Sequence, residues 1–334
     1  MKELARRSVL STVVIVLAAT VLSVPVRPAA AAGEDYPSRP VTLVVPASPG
    51  GTTDFTARLL AKGLTEELGQ QVIVENKGGA SGNLATGLVA RAEPDGHTLL
   101  LTYSGYHATN PALFEDLDWD PVESFEPVAL ATKAPHVFVV HKDLPVNSLA
   151  ELIEYAKAHP GELNYASPGV GSIPHIGTEQ FLQQTGTEMV HVPYKGTGPA
   201  MTDLLAGVVN LSLTTPPSAA GHLREGTVKG LAIASDQRHP MLPDVPTTAE
   251  AGLPGFEQEA WFALYAPTGT PQAIVDKISE AAERVINSED FQRQAQEQGT
   301  YAAYMGPEEL GEFTKSEIAR LGQAIEETGI TMEE

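Results

Sequence analysis

Val41-Thr42-Leu43-Val44-Val45-Pro46-Ala47-Ser48-Pro49-Gly50-Gly51-Thr52-Thr53-Asp54 reads as a strand, a glycine turn and a helix start. The five residues before Pro46 are β-branched or apolar, and proline, with no N–H to give a ladder, ends the run. After Gly50-Gly51, Leu60, Leu64 and Leu68 recur at i+4, marking one face of a helix that ends before Gly69. Residues 72–74 form a second strand, 83–92 a second helix and 98–102 a third strand. This βαβαβ order favours a parallel sheet with crossover helices.

The alternation resumes after Pro135. Residues 137–141 read as a strand, and Ser148-Leu149-Ala150-Glu151 is a capping box that opens a helix ending at His159-Pro160-Gly161. Further strands are expected at 163–166, 189–192, 209–213 and 230–234, with helices at 176–184 and 199–206 between them. Two late helices begin at Pro271 and Pro307, with apolar stripes through Ile274, Ile278, Ala282 and Val285 and through Leu310, Ile318, Leu321 and Ile325. No repeat, low-complexity tract or long linker interrupts the chain. Two α/β lobes joined by short crossings, near residues 130–135 and 255–261, are the expected organisation, with a ligand cleft between them. Trp261, at a crossing, is expected to report closure by fluorescence.

The 334 residues leave room for two domains, and an apolar fraction of 42% suits a folded chain. There is no cysteine, which excludes a disulfide scaffold, a thiolate metal site, a cysteine nucleophile and a lipoprotein anchor. Forty-two acidic against 21 basic residues argue against a nucleic-acid partner, since phosphate binding needs clustered Lys and Arg. Lys2, Arg6 and Arg7, the apolar residues 9–24 and Ala29-Ala30-Ala31-Ala32 have the order of a cleaved secretory signal over residues 1–32. The apolar run is too short for a membrane span, which needs ~20 residues. Arg6-Arg7 leaves general and twin-arginine export both open. Removing four basic residues (Lys2, Arg6, Arg7, Arg27) and one acid (Glu3) takes the net charge from −21 to −24.

Glycine and hydroxyl residues cluster in four places after expected strands and before expected helices. These are residues 46–54, Tyr103-Ser104-Gly105-Tyr106-His107, Ser167-Pro168-Gly169-Val170-Gly171-Ser172 and Tyr194-Lys195-Gly196-Thr197-Gly198-Pro199. Helix starts carry unpaired N–H donors and about half a positive charge, and glycine lets a ligand reach the backbone. At the carboxyl edge of two sheets, four such clusters can converge on one small anion. The plainer alternative is that each is only a tight turn.

Enzyme signatures are weak. G-x-S-x-G, G-x-x-x-x-G-K-[ST] and H-E-x-x-H are absent, and Gly169-Val170-Gly171 is followed by Pro174 where a dinucleotide fingerprint needs a third glycine. Asp116, Asp118 and Asp120 imitate a calcium loop, but Pro121 and Pro127 stand where its glycine and bidentate Glu belong. His136 and His141, five apart in a strand, face opposite sides and cannot chelate together. His175 is the histidine that invites a functional role, with a helix-start or core role as the alternative. No cofactor or metal is expected.

The motifs resemble the substrate-binding receptors of tripartite tricarboxylate transporters, the Bug or TctC family. The resemblance runs through Val44-Val45-Pro46 to Asp54, Gly69-Gln70-Gln71-Val72-Ile73-Val74-Glu75-Asn76-Lys77, Pro94-Asp95-Gly96-His97-Thr98, His107-Ala108-Thr109-Asn110-Pro111, His191-Val192-Pro193-Tyr194-Lys195-Gly196, Leu242-Pro243-Asp244-Val245-Pro246-Thr247 and Trp261-Phe262, covering about residues 36–330. It implies a two-lobed periplasmic-binding-protein fold of type II, a Venus flytrap, with a first lobe of residues 33–134 plus 258–334 and a second of 135–257. It also implies a periplasmic or cell-surface receptor, a monomer and not an enzyme, that hands a small carboxylate to membrane permease subunits. Ligand contacts implied are Ala47, Ser48, Gly50, Gly51, Thr52, Ser104 and His107 from the first lobe. From the second they are Ser167, Gly171, Ser172, His175, Lys195, Gly196 and Thr215.

Departures from the family bear on the ligand. Ala47 and Ser48 stand where an aromatic residue and a proline are usual, Val170 and Ile173 where Asn and Thr are frequent, and Thr214-Thr215 where Asp-Asn is frequent. Without that Asp to hold an ammonium group, a dicarboxylate or aromatic carboxylate is favoured over an amino acid. The competing reading is an exported α/β hydrolase or lyase working through Ser48 or His175, which requires a base within hydrogen-bond reach of the nucleophile.

Overall fold

Residues 36–332 are described by a computed structural model of the chain; the expected leader, residues 1–32, lies outside the described residues. The first strand, β1 (Val41–Val45), leads into α1 (Thr52–Leu68), which Gly69 ends in the left-handed conformation at φ 68°. Then come β2 (Val72–Asn76), α2 (Asn83–Ala90), β3 (Thr98–Tyr103) and two single turns, α3 (Ser104–His107) and α4 (Asn110–Leu113). A long strand, β4 (Phe125–Pro135), ends this segment.

The middle segment contains β5 (Val137–His141), α5 (Leu149–Ala158), β6 (Asn164–Ser167), α6 (Ile173–Thr185), β7 (Val190–Pro193), α7 (Thr197–Leu205), β8 (Leu211–Thr214), α8 (Pro216–Arg224) and β9 (Val228–Ile233). The chain closes with β10 (Glu259–Pro267), α9 (Gln272–Ile286), α10 (Glu289–Glu297), β11 (Tyr301–Met305) and α11 (Pro307–Thr328).

Two sheets result, ordered β11-β4-β10-β3-β1-β2 and β7-β6-β8-β5-β9. In each, three strands run parallel (β2-β1-β3 and β7-β6-β8), and antiparallel strands complete the sheet. The parallel sheet expected from βαβαβ is therefore mixed, because β10 returns late in the chain to lie antiparallel between β3 and β4. The molecule is a two-lobed α/β protein with one mixed sheet in each lobe.

Parallel strands covered by helices on both faces are largely apolar, and β1 is so at every residue but Thr42. Val41, Leu43 and Val45 pack with Leu60 and Leu64 of α1 and Ile278 and Ala282 of α9, while Val44 faces Ala85 and Val89 of α2 and Trp261. A second core forms around Phe138, Tyr165, Phe181 and Phe256. Among the capping signals, Ser148 accepts the Glu151 N–H at 3.1 Å, but the Glu151 carboxylate takes the N–H of Asn147 (2.6 Å), one residue further back than the box predicts. The chain passes between sheets at His136 and returns at Gln258, and the two passages are stitched by the His136 N–H donating to the Gln258 carbonyl (2.9 Å).

Candidate functional site

The carboxyl end of the parallel strands, where α/β sheets bind ligands, carries the cleft here. The turn after β1 supplies Ala47, Ser48, Gly51, Thr52 and Thr53; Tyr103 and Tyr106 follow from the end of β3. The second sheet supplies Pro168, Thr214, Thr215 and the residues 196–199 after β7. Because β10 is antiparallel, it begins at this same edge and contributes Ala260 and Phe262, while His136 enters from the passage between sheets. The cavity measures about 80 Å³, several times the ~10–15 Å³ that a single water requires. Across it the Thr52 and Thr215 hydroxyls meet at 2.7 Å, joining the two lobes.

Two helices begin at this cavity without a side-chain cap: α1 at Gly51 and α7 at Gly196. By contrast α5, α6 and α10 are capped by Ser148, Ser172 and Ser288. The N–H groups of Thr52, Thr53, Thr197 and Gly198 consequently have no partner in the described protein. A Cβ on Gly51, Gly196 or Gly198 would meet nothing within 4 Å, so all three border open space. The turns themselves require glycine, with φ +89° at Gly50 and +119° at Gly196. Helix α8 adds little, since Pro216 and Pro217 have no N–H to offer.

Among the described residues no Asp, Glu, Lys or Arg lines the cavity. The carboxylate of Asp54, one residue along α1 from the cavity-lining Thr53, is engaged elsewhere: it accepts the Gly50 N–H at 3.0 Å and pairs with Arg58. Burial alone would raise its pKa, but the Arg58, Gly50 and Asn76 contacts outweigh this and hold it below the usual carboxylate range. Tyr103 keeps its proton because burial, and secondarily Tyr106, raise its pKa well above the usual phenol value. Tyr103 stacks on Phe262 across the β3–β10 pair at 6.1 Å and meets Tyr106 edge-on at 4.6 Å, forming an aromatic wall. The site is thus a set of neutral donors beside an apolar wall.

Of the residues singled out in the sequence, Ala47, Ser48, Gly51, Thr52, Gly196 and Thr215 lie on this cavity. Gly50 stands behind it, its N–H held by Asp54. Ser104 and His107 do not reach it. They share the inner face of α3 at i and i+3, where the Ser104 Oγ accepts the Trp261 N–H (3.3 Å) and His107 donates to the Pro121 carbonyl (3.0 Å) within a stack of Tyr265 and Trp119. Burial pushes the His107 pKa down to about 4, the carbonyl offsetting only part of this, so the ring is neutral. Their neighbours Tyr103 and Tyr106 take the cleft side instead.

Ser167, Gly171, Ser172 and His175 form a turn that satisfies itself. Ser172 caps α6, accepting the His175 N–H and donating to the Gly169 carbonyl (2.7 Å). The Gly171 N–H donates to His175 Nδ1 (3.1 Å), Ser167 Oγ contacts His191 (2.6 Å), and the His175 and His191 rings stack at 3.7 Å. Lys195 is exposed and off the cavity. Trp261 is buried in the core rather than on the cavity, its indole N–H on Glu317 at 3.0 Å, between the cavity residues Ala260 and Phe262. Thr214, singled out as the place of a missing Asp, lines the cavity as well, whereas Tyr103, Tyr106, His136 and Phe262 were not among the expected contacts; for Tyr103 and Tyr106 the signal was present, since they stand beside Ser104 and His107 in the same cluster.

A family model described as "Tripartite tricarboxylate transporter family receptor" matches residues 56–330. The chain belongs to that receptor family. Among curated relatives of the receptor, Protein BugT of Bordetella pertussis is 37% identical over 297 residues, covering 89% of this chain and 91% of BugT. Among solved structures, Rpa4515 of R. palustris with adipate superposes with a TM-score of 0.86 at 39% identity, covering 89% of the receptor and 99% of that chain. MatC of Rhodopseudomonas palustris with bound malate gives 0.80 at 38%, covering 87% and 100%, and the periplasmic binding protein BugD gives 0.84 at 36%, covering 89% and 99%. The receptor is therefore a solute-binding protein. No helix among its described residues is long and apolar enough to cross a membrane.

Proposed function

We propose that this receptor, outside the cytoplasm, captures a small carboxylate lacking an ammonium group, a dicarboxylate or an aromatic carboxylate, and hands it unchanged to the membrane subunits of a tripartite tricarboxylate-type permease. The observation that carries this reading is the convergence of two uncapped helix starts on a cavity lined by hydroxyls and no charged side chain. Such a site stabilises an anion through N–H donors and helix ends. It holds no carboxylate to pair with an ammonium group, so amino acids are disfavoured. The Tyr103–Phe262 wall suits the ligand's hydrocarbon part.

The first lobe is assigned to residues 33–134 and 258–334 and the second to 135–257, closing as a monomer by rotation about His136 and Gln258. A hydrolytic role finds no support in the arrangement: His175, the expected base, is spent on the Gly171 N–H and on His191, within its own turn. The test is a thermal-shift screen of the mature chain against mono-, di-, tri- and aromatic carboxylates with aspartate and glutamate alongside. A dicarboxylate or aromatic acid should raise the melting temperature most, by linkage. A larger shift with aspartate, or recovery of a chemically altered acid, contradicts the reading.

A further inference from the structure

His136 stands at the passage between the lobes and lines the cavity, only 2% exposed. Its Nδ1 lies 3.2 Å from the Gln258 carbonyl, which can only accept, so Nδ1 carries the ring proton. Burial pushes its pKa down to about 4, only partly offset by that carbonyl, so the imidazole is neutral near pH 7. Nε2 is then a bare acceptor. It has no partner in the described protein, and unlike the Nδ1 of His107 or the Nε2 of His239 it is not sealed in the interior.

The rest of the site is of the opposite kind. The free amides of Thr52, Thr53, Thr197 and Gly198 can only donate, and the hydroxyls of Ser48, Thr52, Thr53 and Thr215 can do either. A ligand that is acceptor throughout would leave His136 unmatched, its lone pair facing a carboxylate. A buried acceptor left unpaired is costly, whereas one given a donor adds specificity.

We propose that His136 is a specificity-determining residue that selects, among small carboxylates, those carrying a hydroxyl donor that reaches Nε2 at the hinge end of the cleft. The assignment rests on the carboxylate reading above and deepens it. Because the accepting nitrogen sits on the lobe passage, the bond also ties the ligand to both passages at once, through His136 and, by way of Nδ1, Gln258.

The experiment compares matched acids with and without the hydroxyl, malate against succinate and 4-hydroxybenzoate against benzoate, by calorimetry. It uses the wild-type chain and the His136→Asn variant, whose side-chain amide keeps the donation to Gln258 but lacks an acceptor at the Nε2 position. In the wild type the hydroxylated member of the pair that binds should be favoured about tenfold, the range of one hydrogen bond. The variant should lose that preference, the ratio of the two affinities falling from about ten to about one. A phenylalanine variant provides a second loss of the acceptor should the asparagine fail to fold. Equal binding of deoxy and hydroxyl acids by the wild type, or a preference that survives in the variant, overturns the assignment alone. Uptake of one proton per ligand, measured in two buffers of different ionisation enthalpy, overturns it as well, because His136 would then be a cation. Failure of every acid in the thermal-shift screen, these four included, overturns the carboxylate reading together with it.

Discussion

The Thr52 and Thr215 hydroxyls, 2.7 Å apart across the cavity, are the point where single atoms decide the chemistry. Thr214 and Thr215 both line the cavity as neutral groups, and a carboxylate introduced at 215 would face the ligand. Thr215→Asp should therefore weaken anion binding by at least about tenfold through like-charge repulsion in a partly dry cleft, and titration of the best acid from the screen checks this. Ser172 is the opposite case, since its oxygen caps α6 and does not line the cavity. Ser172→Ala should cost about 1 kcal/mol of stability in urea unfolding and leave the ligand affinity within twofold. A tenfold affinity loss would return Ser172 to the site. The difference between the two residues was not readable from composition, because both are small hydroxyl residues beside a helix start. What separates them is whether the hydroxyl finds a backbone partner in its own turn.

At the scale of elements, α1 and β1 were legible because local physics and tertiary context agree. The Leu60-Leu64-Leu68 stripe, the Gly69 stop and the apolar run ended by Pro46 each point the same way. The antiparallel strands β4 and β10 were not. The run Glu-Ala-Trp-Phe-Ala-Leu-Tyr-Ala-Pro of β10 is buried along nearly its whole length, so it shows no period, and two register shifts interrupt its pairing with β4. The cost was specific: the aromatic wall on β10 and the true passage residue, His136, stayed hidden while the glycine loops stood out. Close packing of α1 on α9 supplies another check. A Cβ on Gly63 would lie 2.4 Å from a Val285 methyl carbon. Gly63→Ala gains ~1 kcal/mol of helix propensity but overpacks a core contact at a cost of ~1–3 kcal/mol. A lower melting temperature is the net result, and an unchanged or higher one would show that α9 yields.

For the whole molecule, the charge of −21 and the uncharged cleft have to be reconciled. The global field repels an anionic ligand, but salt screens it beyond about 8 Å at 0.15 M, so capture falls to the local donors at the helix starts. Buried histidines give the fold its acid limit. Desolvation pushes His107 and His136 down to about 4 and His175, with His191 beside it, down to about 3, from an ordinary value of 6.5. Folded, these rings stay neutral while the unfolded chain takes up protons, so their contribution is complete above pH 6.5 and is lost as the pH falls toward 4. The loss is up to about 1.4 kcal/mol per pH unit for each ring. Urea unfolding at pH 7.5 and pH 5 should show a clearly lower midpoint at pH 5, and equal midpoints would contradict the burial of these rings. The account's central claim is that neutral donors from both lobes hold a carboxylate without an ammonium group. Calorimetric titration of the mature chain at pH 7.5 with simple dicarboxylates and aromatic acids, against aspartate and glutamate, tests it most directly. A one-to-one complex with an acid lacking an ammonium group, tighter than either amino acid and with the acid recovered unchanged, is the result predicted; tighter binding of aspartate or glutamate would contradict it.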